Sequence, residues 1–246
     1  MIILIIIITF LFSCASTQQT EIKPKDADTY TRIADTYLQK GQYDQAIKYF
    51  NEVIDMDPKK SFAYSNRGVA YAVMGQHDKA ISDYTKAIEL NPKNAEYYCT
   101  RAISFSIMGQ YDQAISDCNN ALKINPRYAD AYIERGLAYT EKGQYDQAIS
   151  DFNKALDIDP KYDKAYNNRG NAYCRKGQYD QAISDYNRAI EINPKYAMAY
   201  NNRGRVYYFK EEYNKSWEDY NKAQDLGFKI PPKSLEELRK ASGRER

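Results

Sequence analysis

Apolar and small side chains return along this chain at three- and four-residue steps. They run over two short stretches, separated by a glycine and closed by a proline. Between Ala129 and Tyr162, the residues Tyr132, Gly136 and Tyr139 lie along one face of a helix at that spacing. Gly143 interrupts the pattern, as a residue at ease with left-handed dihedrals does just past a helix end. Ala148, Phe152 and Ala155 mark the inner stripe of a second helix. Pro160 stops it, because proline lacks the amide hydrogen and restricts the residue before it. This helix–turn–helix unit keeps returning, with its last proline at Pro58, Pro92, Pro126, Pro160 and Pro194, one 34-residue period apart. Six units begin at Ala27, Ser61, Ala95, Ala129, Asp163 and Ala197. Gly136 and Ala148 let the two helices of a unit approach closely, and Tyr132, Tyr139 and Phe152 fill the space that remains. One such pair cannot bury its own apolar face, so the copies must stack.

The order aromatic, small, Tyr, Ala, aromatic, Ala, Pro resembles the tetratricopeptide repeat (TPR). The resemblance covers Ala27 to about Ile230. It implies an all-α fold, a right-handed superhelical solenoid of six repeats at 27–60, 61–94, 95–128, 129–162, 163–196 and 197–230. It also implies a concave groove lined by the first helix of each pair. Residues 231–246 are expected to form a capping helix and a frayed tail. Ser234 followed by Glu237 reads as a capping box, and Leu235, Leu238 and Ala241 are expected to face the last repeat.

Two polar positions travel together. Arg67, Arg101, Arg135, Arg169 and Arg203 share one place in the first helix, and Asp83, Asp117, Asp151, Asp185 and Asp219 share one in the second. Repeat one has Ile33 and Tyr49 instead. Loss of both at once points to a bidentate Arg–Asp clasp inside each repeat. The alternative is a row of arginines offered to an anionic ligand.

Ile2 to Phe12 is apolar apart from Thr9. It is shorter than the ~20 residues that span a bilayer and fits the hydrophobic region of a secretion signal. Leu11-Phe12-Ser13-Cys14 resembles the lipobox of bacterial lipoproteins, which implies a signal peptide at 1–13 and lipidation at Cys14. A plain signal peptide and an unprocessed tail are the alternatives. Ala15 after the cysteine implies the outer membrane, facing the periplasm. The polar stretch up to Asp26 reads as a flexible tether.

Composition narrows the function. With 35 basic and 33 acidic residues there is no electrostatic footprint for nucleic acid. One His and four Cys leave little for metal or nucleophilic chemistry, and no phosphate loop, zinc-protease helix or nucleophile elbow is present. No enzyme activity, metal or cofactor is therefore expected. Cys118 falls in an aromatic core slot, His77 in a slot otherwise held by Tyr, and Cys99 and Cys174 at groove-facing positions.

Binding is left, and the groove should carry it. The family's groove-facing places are the second, fifth, sixth, ninth, twelfth and thirteenth of each repeat. These carry Phe62, Asn66, Val69, Val73, Ile103, Ile107, Ile133 and Leu137 in repeats two to four. Repeats five and six carry Lys164, Asn167, Asn168, Asn171, Arg175, Asn201, Asn202 and Arg205. Glu96, Asp130, Glu134 and Glu141 interrupt the apolar part. Asn66, Asn168 and Asn202 resemble a partial asparagine ladder of peptide-binding members. The expectation is a membrane-anchored protein–protein interaction scaffold, with a protein or peptide partner laid in the groove. Its partner's apolar part would lie over repeats two to four and its polar or acidic end over repeats five and six. The alternative is a glycan- or peptidoglycan-binding structural lipoprotein, with Tyr208 and Phe209 at the groove end.

Overall fold

The structure, a computed structural model, describes residues 26–244. The expected signal, the Cys14 lipidation site and nearly all of the tether lie outside them. Thirteen α-helices and no strand make up the described residues. They pair as α1 (Ala27–Gln39) with α2 (Tyr43–Met56), α3 (Ser61–Val73) with α4 (His77–Leu90), and α5 (Ala95–Ile107) with α6 (Tyr111–Ile124). Next come α7 (Ala129–Glu141) with α8 (Tyr145–Ile158), α9 (Asp163–Arg175) with α10 (Tyr179–Ile192), and α11 (Ala197–Phe209) with α12 (Tyr213–Asp225). A last helix, α13 (Pro232–Ser242), closes the series. Each helix packs on the next, and successive first helices also touch one another. That second set of contacts puts the first helices on the inner side of the solenoid.

Local chemistry explains each joint. Gly143 takes φ +73°. Its amide donates to Thr140 O at 3.0 Å, and the Gln144 amide reaches back to Tyr139 O at 2.8 Å. This Schellman-type closure satisfies carbonyls that the helix end leaves open. In repeat six the same turn falls to Glu211 at φ +61°, a non-glycine residue in the left-handed region. The second helices α2, α6, α8 and α10 end on Asp or Asn, whose side chain accepts the amide two residues on, as in Asp159 Oδ1 from Lys161 N at 2.9 Å. Within a pair, a Cβ placed on Gly136 would lie 2.7 Å from the Phe152 ring, so that place must stay small. Cys118 is fully buried and stands where Phe152 does, which leaves room for Ala102 in place of glycine.

The Arg–Asp clasp forms in all five repeats that carry it. Arg135 Nε and Nη2 donate to Asp151 Oδ2 and Oδ1 at 2.7 and 2.6 Å. Its remaining arm, Nη1, crosses to the previous repeat and donates to Asn119 Oδ1 at 2.5 Å. Asn51, Thr85, Asn153 and Asn187 receive Arg67, Arg101, Arg169 and Arg203 in the same way. The guanidinium also lies 5.5 Å from the Tyr132 ring centroid, and the Tyr132 hydroxyl donates to Pro126 O. The clasp therefore joins neighbouring repeats as well as the two helices of one. Among the described residues no repeat precedes repeat one to receive a third arm. There Tyr49 stacks on Tyr37, centroids 5.4 Å apart.

The C-terminal end departs from expectation. Pro231 takes the N-cap and Pro232 the first turn, so α13 starts before Ser234, and the capping box does not form. Proline at the first helical place has its fixed φ already suited to the helix. Leu238 is fully buried with Tyr220, Ala223 and Ile230, and Leu235 packs beside them, but Ala241 is exposed. Leu238 stands where a further repeat would place its small residue, 34 after Gly204, and fills that slot with bulk. Arg244 donates to Asn214 over the 30-residue interval that separates Lys176 from Asp146. α13 thus occupies the place of a first helix of one more repeat.

Removing one partner of the clasp should be costly and removing both much less so. Arg135→Met strands Asp151, whose side chain is 7% exposed. It is expected to destabilise the protein by about 2–4 kcal/mol, while Arg135→Met/Asp151→Leu recovers most of that loss. Urea denaturation followed by circular dichroism measures both.

Candidate functional site

The inner face divides by repeat position. Thirteenth residues reach solvent, with Val73 58% and Ile107 62% exposed, and the ninth-position Ile103 is exposed beside them. Phe62, Val69 and Leu137 are half-buried at its floor. Asn66 donates to Asp35 Oδ1 at 3.1 Å, and Asn168 and Asn201 are half-buried. Asn171 accepts the Tyr186 hydroxyl at 2.8 Å. Lys164, Arg175 and Arg205 are exposed, with Arg175 3.4 Å from Glu141.

Three expected groove residues are covered. Ile133 is 4% exposed and packs with Ala148 and Phe152 in the core. Asn167, 1% exposed, accepts a 3.0 Å hydrogen bond from the buried Asn202. The reason is positional. The fifth residue of a first helix points at the first helix of the next repeat, so Ser65, Cys99, Ile133 and Asn167 are all buried. Asn202 meets Asn167 there, and the pair settles two amides that the core would otherwise leave unsatisfied. Cys99 is therefore not in the groove, and burial pushes its thiol up to about 12. Cys174 is half-buried. His77 is half-buried, and its Nδ1 has no hydrogen-bond partner among the described residues.

Other residues join the site that repeat-position reading did not select. Met74 and Met108 are exposed at the fourteenth place, next to Val73 and Ile107. Later repeats put lysines there, and Lys142, Lys176 and Lys210 each pair with an aspartate of the previous repeat. Methionine at that place leaves repeats two and three without this ion pair. Phe209 is exposed, and one face of its ring stacks on Tyr179.

Family models described as tetratricopeptide repeat match residues 27–60, 61–94, 95–128, 118–150 and 197–226, and one described as TPR repeat matches 136–177 and 170–210. The chain belongs to the tetratricopeptide repeat family. Among solved structures, a MamA protein is 31% identical over 70% of this chain and 93% of its own, with a TM-score of 0.60. YrrB, described as a TPR protein with an unusual peptide-binding site, is 22% identical over 71% of this chain and 90% of its own, at 0.57. PilF of Pseudomonas aeruginosa is 18% identical over 89% of this chain and 97% of its own, at 0.73. A search of curated protein sequences returned no match. Tetratricopeptide arrays serve as protein-interaction scaffolds.

Among the described residues no group of three or more His, Cys, Asp or Glu is placed to hold a metal ion. One carboxyl on the inner face is unusual. Burial, with Asp130 adjacent, pushes Glu134 up to about 7, and Lys164 only partly offsets this. The folded state therefore holds the proton more tightly than the unfolded chain, whose value lies near 4.5. Stability from this group is present at low pH and is lost as pH rises through about 7. The melting midpoint of the wild type is expected to fall, relative to Glu134→Gln, between about pH 5 and about pH 8. Parallel thermal melts across that range measure it, and equal slopes would contradict the assignment.

Proposed function

We propose that this chain is a lipid-anchored scaffold of the bacterial cell envelope, which binds a segment of another protein in the concave groove of its array. The observation that carries the binding part is the strip of Val73, Ile103 and Ile107. These are large apolar side chains left exposed on the inner face although each repeat already has a complete core. An apolar strip rimmed by polar groups marks an interaction site. The half-buried Asn168 and Asn201 both donate and accept, which suits a peptide backbone. YrrB, with its peptide-binding site on the same fold, supports the reading by analogy.

The anchor rests on Leu11 to Cys14 and on the apolar run before them. No helix among the described residues is long and apolar enough to cross a membrane. Attachment through Cys14, with the outer membrane as destination and assembly of an envelope structure as setting, is the arrangement that the motif supports. Metabolic labelling with palmitate is expected to mark the wild type and not Cys14→Ala.

Glycan binding is the second reading. It would use the ring of Phe209 at the groove end, but Tyr179 already covers one of its faces.

In-cell crosslinking and pull-down test the groove. Ile107→Glu/Asn168→Ala changes two residues outside the buried core. The expected outcome is that an envelope protein captured by the wild type is lost in the double variant while the circular dichroism spectrum is kept. An unchanged catch would move the binding surface to the convex face.

A further inference from the structure

Three sectors of different chemistry follow one another along the inner face. Repeats two and three present the exposed apolar strip, with Val73 and Ile107 as its most open members. Repeats three and four then place Glu96, Asp130 and Glu134 on the first helices α5 and α7. Repeats five and six place Lys164, Arg175 and Arg205 on α9 and α11.

The acidic sector is poorly neutralised from within. Asp130 accepts a hydrogen bond from the Tyr162 hydroxyl, which is neutral. Glu96 and Asp130 are exposed, and Lys164 is the cation that bears on Glu134. At the other end, Arg205 is exposed beside the Cys174 thiol, and Arg175 is held only by an exposed pair with Glu141. Exposed pairs of that kind contribute little and exchange readily. A polyanion laid along this face would meet the exposed carboxylates of Glu96 and Asp130 at its middle. A uniformly basic segment would meet three cations at its end. A segment of mixed charge satisfies both, and like-charge contacts reject the others.

We propose, building on the groove reading above, that the partner is a protein segment whose side chains run apolar, then basic, then acidic, laid from repeat two toward repeat six. Its basic side chains sit against Glu96, Asp130 and Glu134, and its acidic ones against Lys164, Arg175 and Arg205. Successive first helices touch, which puts their axes about 8–10 Å apart. An extended chain advances ~3.3 Å per residue, so the segment takes roughly three residues per repeat and on the order of ten across the three sectors.

The test is selection of binders from a displayed library of random peptides about twelve residues long, the span just argued. The bait is the full chain in detergent micelles, and Ile107→Glu/Asn168→Ala is selected in parallel. The expected result is a set of peptides, lost with the double variant, enriched in the order apolar, basic, acidic. A synthetic binder with its basic and acidic blocks exchanged is expected to bind about tenfold more weakly by fluorescence anisotropy. Glu96→Lys/Asp130→Lys, at two exposed positions, is expected to erase that preference. Groove-dependent peptides with no charge order, or a preference unmoved by Glu96→Lys/Asp130→Lys, would overturn the charge assignment and leave the groove reading standing. Absence of any groove-dependent peptide would overturn both.

Discussion

Each internal arginine must satisfy a planar, charged group in a place where water is largely shut out. Two of its arms grip an aspartate on the other helix of its own repeat, and the third reaches an Asn or Thr on the repeat before. A bidentate fork tolerates little change in angle or distance. With the third arm engaged, it ties the angle within a repeat to the angle between repeats. The aspartates are nearly enclosed, and burial raises Asp185 and Asp219 above the ordinary carboxylate range despite the adjacent guanidinium. Desolvation thus takes back much of what the pairing contributes. The clasp is better understood as a device for geometry than as a large source of stability.

Stability comes from the small and aromatic residues around it. Glycine opposite an aromatic ring brings two helices together until a single added carbon would collide. The buried alanines make this close packing possible along the whole chain. Because every unit leans only on its neighbours, the two ends need separate treatment. Repeat one gives up the clasp and stacks tyrosines. The far end replaces a glycine with Leu238 and covers α12 with a single helix.

This regular framework frees the inner face to vary. The positions that pack are nearly the same in every repeat, whereas the second, ninth and thirteenth change in character, as in Val73, Ile107, Glu141, Arg175 and Phe209 at the thirteenth. A surface that pure packing required would repeat as the core does. The apolar strip, the carboxylates and the arginines follow no period, and that is why they are read as the part shaped by a partner.

The sequence by itself determined the helix pairs, their turns, the core residues and the Arg–Asp partnership, because each depends on contacts that recur at a fixed spacing within one repeat. Only the tertiary structure decided what lies between repeats. It turned the fifth-position Ile133 and Asn167 inward, since the first helix of the next repeat covers that place, and it set the sixth-position Asn202 against Asn167. It gave each arginine its third acceptor, and it started α13 at the prolines instead of at Ser234. These outcomes depend on how one unit is rotated against the next. That rotation is fixed by packing among many side chains at once, and no single spacing in the chain records it.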